Sequence, residues 1–273
     1  MCESSRKKYL EQAINIVKKY FRDDVLSVIL FGTLRTKEIT KTSDIDLIFV
    51  FKDNVPETRL KELDAILTRL EMKYGLTPVP KSILNKLSWA INRITGMYKS
   101  HFICRYRDIA HRKFCKIFNL SPIIAKIFAP QRMVLNNFIK TAKVIYGKNI
   151  LLQEQQIDHN YDSYYLDLVK SYIMNLFLWF GATFMNVFDR LFYKYIIEAI
   201  KWSIYGFIAT RNDNSDRKIL RTAIKQISPF IDKEFIYQFL RSKQTMEIDP
   251  FLILKSPLYI SKIHIEALKN RKY

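Results

Sequence analysis

The chain has 273 residues, of which 49% are hydrophobic, and this length and composition predict a globular protein with one large or two small domains. Lysine and arginine number 45 against 26 aspartates and glutamates, a formal charge of +19. Such an excess favours an anionic partner, either nucleic acid or an anionic membrane surface, and disfavours a polycationic substrate. Three cysteines exclude a secreted disulfide-rich scaffold, so we expect a reducing, cytoplasmic location.

The first half of the chain alternates between helical and strand patterns. Apolar spacing predicts helices at 4–21, 56–74 and 81–97, and apolar runs predict strands at 28–31, 44–51 and 101–107. These elements predict a mixed sheet with helices packed on it.

Beyond residue 109 the pattern is mostly helical, and a helix over 133–146 is expected to end at Gly147. The polar segment 153–160 marks a boundary between a first domain at 1–150 and a C-terminal helical domain at 160–273.

Residues 171–188 contain no charged side chain and lie at the lower length limit for a membrane span. We interpret them as a buried helix and expect no stable membrane insertion. The alternative, a membrane-attached protein, predicts an exposed apolar face on this segment.

One motif carries most of the chemical information. The apolar run Val28–Phe31 leads into Gly32 and Thr33, and ten residues later Asp44 and Asp46 open the next apolar run. Side chains two apart on a strand share a face, so the two carboxylates project together and favour hard divalent cations such as Mg²⁺. The glycine turn lets backbone N–H groups approach an anion such as a phosphate. This combination indicates metal-assisted phosphoryl or nucleotidyl transfer.

The order and spacing of these residues resemble the DNA polymerase β-type nucleotidyltransferase superfamily. The resemblance implies an α+β fold: a small mixed nucleotidyltransferase-type sheet with flanking helices, followed by an all-α helical bundle. It further implies that residues 1–150 form the nucleotidyltransferase-like domain. By this resemblance two Mg²⁺ ions are held by Asp44 and Asp46, and the nucleotide triphosphate is bound by Gly32, Thr33, Ser43 and Arg35.

Members of this superfamily usually carry a third carboxylate on a later strand. Asp108, at the end of the predicted strand 101–107, is the candidate here. The alternative for Asp108 is a helix cap before Ile109.

We therefore expect a Mg²⁺-dependent enzyme that transfers a nucleoside monophosphate from an NTP to an acceptor and releases pyrophosphate. The net charge favours RNA as acceptor, including a tRNA end, because each lysine on the nucleic acid displaces counterions. A protein hydroxyl is a further acceptor, and small-molecule acceptors stay open. The alternative function is a catalytically reduced nucleotidyltransferase fold that serves as an RNA-binding or toxin–antitoxin component. The sequence leaves the oligomeric state open.

Overall fold

The structure, a computed structural model, describes residues 3–32, 45–76, 100–152, 162–186, 192–210 and 220–269. The helix expected at 81–97 and the boundary segment expected at 153–160 lie outside these ranges.

A four-stranded sheet forms the centre of the N-terminal part. In sequence order its strands are β1 (Val25–Phe31), β2 (Asp46–Phe51), β3 (His101–Arg105) and β4 (Lys143–Gly147). Their spatial order is β3-β2-β1-β4, with β1 antiparallel to both neighbours and β3 parallel to β2. The predicted mixed sheet is confirmed.

The strand β4 corrects one prediction. A single helix was expected over 133–146, but the helix here ends at Thr141 and Lys143–Gly147 pairs with β1. The apolar run Val144–Tyr146 is too short for its spacing to separate a strand from the last turn of a helix.

Two helices, α1 (Glu3–Tyr20) and α2 (Glu57–Tyr74), cover one face of the sheet. Alternate strand residues, such as Leu30 on β1 and Leu47 on β2, share a buried core with these helices. The alternate apolar residues of the strands and the apolar sides of α1 and α2 thus form one buried layer.

Phenylalanines cover the opposite face. Phe31 at the end of β1 lies 6.0 Å from Phe102 and 5.4 Å from Phe138, measured between ring centroids. Phe118 joins the same cluster at 6.2 Å from Phe31. Four short helices lie between β3 and β4 in the sequence: α3 (Tyr106–Ala110), α4 (Phe114–Ile117), α5 (Pro122–Phe128) and α6 (Gln131–Thr141).

The C-terminal part is helical in every segment that the structure describes. It contains α7 (Asp162–Asn186), α8 (Tyr193–Ala209), α9 (Leu220–Ile227), α10 (Lys233–Thr245) and α11 (Pro250–Lys269). Contacts divide the chain into one unit of Met1–Ala125 with Phe138–Ile157 and a second of Lys126–Asn137 with Asp158–Tyr273. Residues 126–137 thus group with the helical unit, although the domain expected from sequence assigned them to the first. The α+β architecture with a following helical region is as predicted.

The helix α7 packs against α8 and α11 within this second unit. Asn175 donates a hydrogen bond to Ser203 Oγ on α8 at 2.9 Å, and Trp179 Nε1 donates to the Ile253 carbonyl on α11 at 2.8 Å. Within the described ranges, one helical stretch, Tyr165–Met185, has the length and apolar composition of a membrane-crossing segment. Its packed polar contacts identify it as a helix of the bundle.

Candidate active site

The sequence motif places Gly32 directly against the carboxylate of Asp46. Phe31, the last residue of β1, pairs with Asp46, the first residue of β2. Gly32 then turns the chain with a φ of +76°, and a methyl group on its α-carbon would lie 2.1 Å from Asp46 Oδ2. A residue with a side chain is disfavoured here both by the left-handed conformation and by this overlap. Only glycine therefore allows the turn to lie this close to the Asp46 carboxylate.

Burial at the start of β2 follows the expected alternation. Ile45 and Leu47 are fully buried in the core with α1 and α2, whereas Asp46 between them is half-buried. The Asp46 side chain consequently belongs to the opposite face of the sheet, above Phe31. Thr33, Arg35, Ser43 and Asp44 lie outside the described residues, so their roles stay predictions.

The neighbouring strand brings a serine, and not an acid, level with Asp46. The parallel register pairs Leu47 with His101, and the Leu47 N–H donates to the Ser100 carbonyl at 3.0 Å. Because the His101 ring turns toward α2, alternation directs the Ser100 side chain to the face of Asp46. The sequence alone does not reveal the place of Ser100, because that place depends on a strand pairing between residues more than fifty positions apart.

A buried polar cluster holds Ser100 and His101 in place. The Glu71 Oε1 atom accepts a hydrogen bond from the Ser100 N–H at 2.9 Å and lies 2.7 Å from His101 Nδ1. The Tyr9 hydroxyl donates to the same oxygen at 3.4 Å, and His101 Nε2 lies 3.1 Å from Asp64 Oδ1. Each ring nitrogen of His101 thus lies within hydrogen-bond distance of a carboxylate on α2, and Glu71 Oε1 serves the Ser100 N–H as well. The start of β3 is thereby anchored to α2.

Burial also shifts the acid–base behaviour of this cluster. Desolvation, followed by the nearby Glu71 carboxylate, raises the pKa of the Tyr9 hydroxyl well above its ordinary value. The hydroxyl therefore stays protonated and remains a donor to Glu71.

The structure corrects the assignment of Asp108. Its Oδ2 accepts a hydrogen bond from the Arg105 N–H at 3.1 Å, in a capping box at the start of α3. In the parallel pair, Asp46 lies before the Leu47–His101 pair, and Asp108 lies beyond the Phe51–Arg105 pair at the other end. At ~3.3 Å per residue, about 16 Å separate these two ends. Asp108 is a helix cap and does not join Asp46 as a third carboxylate.

Asp46 is the one member of the predicted metal-binding pair that lies within the described residues. Among the residues that the structure describes, no three His, Cys, Asp or Glu side chains are grouped as metal ligands. The half-buried carboxylate of Asp46 is the kind of hard oxygen ligand that Mg²⁺ takes, usually together with substrate phosphates and water. The donor chemistry of Asp46 thus fits the expected metal.

Comparison with protein families decides the class of this site. Residues 10–97, which include β1, Gly32, β2 and α2, match the family described as "Nucleotidyltransferase domain". The chain contains a nucleotidyltransferase domain. The predictions of a polymerase β-like fold and of a nucleotidyltransferase enzyme are confirmed, and transfer of a nucleoside monophosphate is the reaction of this class of domain. The match ends before β3, so it assigns no role to Ser100 or His101.

A solved structure shows the same fold over nearly the whole chain. Spectinomycin adenyltransferase AAD(9) from Enterococcus faecialis, crystallised with ATP and spectinomycin, is 12% identical with a TM-score of 0.51. The similarity covers 96% of this chain and 99% of that one. At this identity the likeness extends to the fold alone. No curated protein sequence matches the chain significantly.

Proposed function

We propose that this nucleotidyltransferase domain transfers a nucleoside monophosphate from an NTP to RNA, with two Mg²⁺ ions held by Asp44 and Asp46. Bound Mg²⁺ ions stabilise the attacking and leaving oxygens of an in-line displacement. The turn at Gly32 and Thr33 binds the triphosphate, with Ser43 and Arg35 as further polar contacts, and pyrophosphate is released.

The observation that supports this proposal is the contact between Gly32 and Asp46. Phosphate-binding turns need backbone N–H groups that a ligand can approach, which a glycine in the left-handed region provides. The carboxylate lies over this same glycine, with Oδ2 only 2.1 Å from the position of a Cβ atom. A metal ion on Asp46 would therefore lie within reach of a phosphate held at the turn.

The choice of RNA rests on charge. With a net charge of +19, the protein attracts a polyanionic acceptor and repels a polycationic one at long range. Because the AAD(9) structure contains spectinomycin, spectinomycin is the alternative acceptor to be tested against RNA. A protein hydroxyl is the third acceptor class that the experiment has to separate.

Ser100 favours a second candidate function. The strand position level with Asp46 holds a serine, and Asp108 caps a helix at the far end of β3. A site without a third carboxylate beside Asp46 would be catalytically reduced, and the fold would then serve as an RNA-binding or toxin–antitoxin component.

Incorporation of label separates these candidates. The purified chain is incubated with each α-labelled NTP and Mg²⁺ or Mn²⁺, using total RNA, total protein or spectinomycin as acceptor. Asp46→Asn removes one proposed metal ligand with little change in shape. Asp108→Asn is the matched control, because it makes the same chemical change at the capping aspartate.

Label on RNA that disappears with Asp46→Asn and survives with Asp108→Asn supports the proposal. Label on protein or spectinomycin under the same dependence keeps nucleotidyl transfer and overturns the RNA acceptor. Absence of label from all acceptors, together with salt-sensitive RNA binding, overturns the enzyme and favours the binding component.

A further inference from the structure

The helical unit exposes a row of apolar side chains, one of which, Phe177, also lies 5.9 Å from Phe128 between ring centroids. On α7 the exposed apolar side chains include Phe177, Phe180 and Phe184, which are 67%, 66% and 63% exposed. They lie three and four residues apart and therefore share one side of the helix with Leu166 and Ile173. From Leu166 to Phe184 the row rises by 18 residue steps, about 27 Å at ~1.5 Å per step.

A second exposed apolar row lies on α11. Its members recur three, four or seven residues apart, as expected for one side of a helix, and they are Leu254, Leu258, Ile265 and Leu268.

The two rows lie on the same side of the α7–α11 pair. The helices run antiparallel, because Tyr172 contacts Ser261 and Trp179 contacts Ile253. Going around either helix in the direction of increasing residue angle, one meets first the buried side, then the side that contacts the other helix, then the exposed row. Because the two helices are antiparallel, this shared order places both exposed rows on the same side of the pair. We call these two rows together the α7–α11 face.

Lysines border this face on α11. Lys255 and Lys262 are both exposed and, being seven residues apart, lie on one side of the helix. That side borders the apolar row formed by Leu254, Leu258 and Ile265. Neither lysine is ion-paired with a carboxylate in the described parts of the chain. Lys269 continues the line, although it pairs with Glu266 at 3.0 Å.

We propose that the α7–α11 face docks on an anionic lipid bilayer, with both helices lying in the plane of its surface. Apolar rows bordered by lysines are the pattern of interfacial helices, in which apolar side chains enter the acyl boundary and lysines meet lipid phosphates. Charge complementarity selects this occupant, since the whole chain carries +19. A second copy would bring two such charges together, and because the α11 row is aliphatic, only the phenylalanines of α7 could stack on RNA bases.

The face lies on the bilayer and does not cross it. The opposite side of α7 is committed to the bundle through the Asn175–Ser203 hydrogen bond and buried contacts with α8. This inference goes beyond the proposed function and is independent of the active site.

Sedimentation with vesicles tests the proposal. The full chain is mixed with phosphatidylcholine vesicles that contain either 30% phosphatidylserine or none, and its partition coefficient is measured. We expect binding to the anionic vesicles, weakened about 30-fold by Lys255→Gln/Lys262→Gln. Phe177→Ser/Phe180→Ser should weaken binding at least about tenfold.

Matched variants remove the same chemistry elsewhere. Lys225→Gln/Lys233→Gln removes two exposed lysines from α9 and α10, and Tyr20→Ser/Met72→Ser removes exposed apolar side chains from the first unit. Both should keep the unmodified affinity. Circular dichroism checks that all four variants remain folded.

Three outcomes overturn the proposal. The first is absence of binding to anionic vesicles. The second is equal weakening of vesicle binding by the face variants and the control variants, which would mean that binding depends on general surface properties such as net charge and not on this face. The third is a face variant that leaves vesicle binding unchanged but lowers affinity for total RNA or converts a dimer into monomers, which would assign the face to that partner.

Discussion

Replacing Gly32 by alanine should disturb the active site far more than it disturbs the fold. The added methyl group would lie 2.1 Å from Asp46 Oδ2, about 1 Å closer than real contacts allow. The overlapping atom is the end of a side chain, so the carboxylate can turn away at modest energetic cost. A displacement of this size at a catalytic group typically costs about 100-fold in rate.

Two other glycines calibrate the energetic part of this prediction. Gly75, at the end of α2, has a φ of +68° and no atom within 4 Å of an added methyl group. Gly147, at the end of β4, has a φ of +82°, and a methyl group there would lie 2.2 Å from the Leu26 carbonyl oxygen. All three positions share the left-handed strain, and they differ in what the methyl group meets.

The expected losses of unfolding free energy follow from these surroundings. Gly75→Ala should lose about 1 kcal/mol, the strain of a left-handed alanine less the gain from a stiffer unfolded chain. Gly32→Ala should lose about 1–2 kcal/mol, because a side chain can yield. Gly147→Ala should lose about 3 kcal/mol or more, because a backbone carbonyl within the sheet cannot move freely.

Urea unfolding measures the three losses, and label incorporation from α-labelled NTP measures transfer. We expect Gly75→Ala to keep the transfer rate of the unmodified chain and Gly32→Ala to fall about 100-fold. If Gly32→Ala transfers nucleotide at the same rate as Gly75→Ala, the position of the Asp46 carboxylate does not control the reaction.

Three further results are expected from groups outside the Gly32 turn. Asp108→Ala should lose about 1 kcal/mol of helix-capping stability with an unchanged transfer rate; a loss of transfer in folded protein would restore Asp108 to the active site. Glu71→Ala should lose about 3–5 kcal/mol in urea unfolding, since it removes the acceptor of the buried Ser100 N–H and the carboxylate closest to the buried His101 ring, and a loss below about 1 kcal/mol would contradict that account. Burial lowers the pKa of His264 from 6.5 to about 4, so the unfolded chain binds a proton that the folded chain does not as the pH falls below 6.5. Stability should therefore drop by about 2 kcal/mol between pH 7 and pH 5, and the pH 7 to pH 5 difference should shrink by that amount in His264→Gln. An unchanged pH dependence in the variant would exclude His264 as its source.

Local patterns explain why much of the fold and the Gly32–Asp46 contact were predictable. The turn at Gly32 and the alternation of Ile45, Asp46 and Leu47 depend only on residues close in sequence. The fate of Asp108 was not predictable in this way. Two readings fitted its sequence, and only the parallel register of β2 and β3 separates them.

Pairings across long stretches of chain account for the other differences. The Glu71–His101 contact joins residues thirty positions apart in sequence, and neither residue belongs to a recognisable motif. Likewise, the apolar composition of 171–188 predicted burial. Periodicity alone does not reveal which apolar side of the helix packs against other helices. The structure buries one side of this helix and exposes another.

The Glu71–His101 pair also has a consequence for the uniqueness of the sheet. Only β2 holds β3 among the described strands, and a slip by one residue would exchange the two faces of β3. After such a slip His101 would no longer meet Glu71, and two buried polar groups would be left without each other. Apolar residues in their place would make no directional contact and would therefore penalise the slip less. The pair thus fixes the register of β3 against β2, and this register keeps Ser100 level with Asp46.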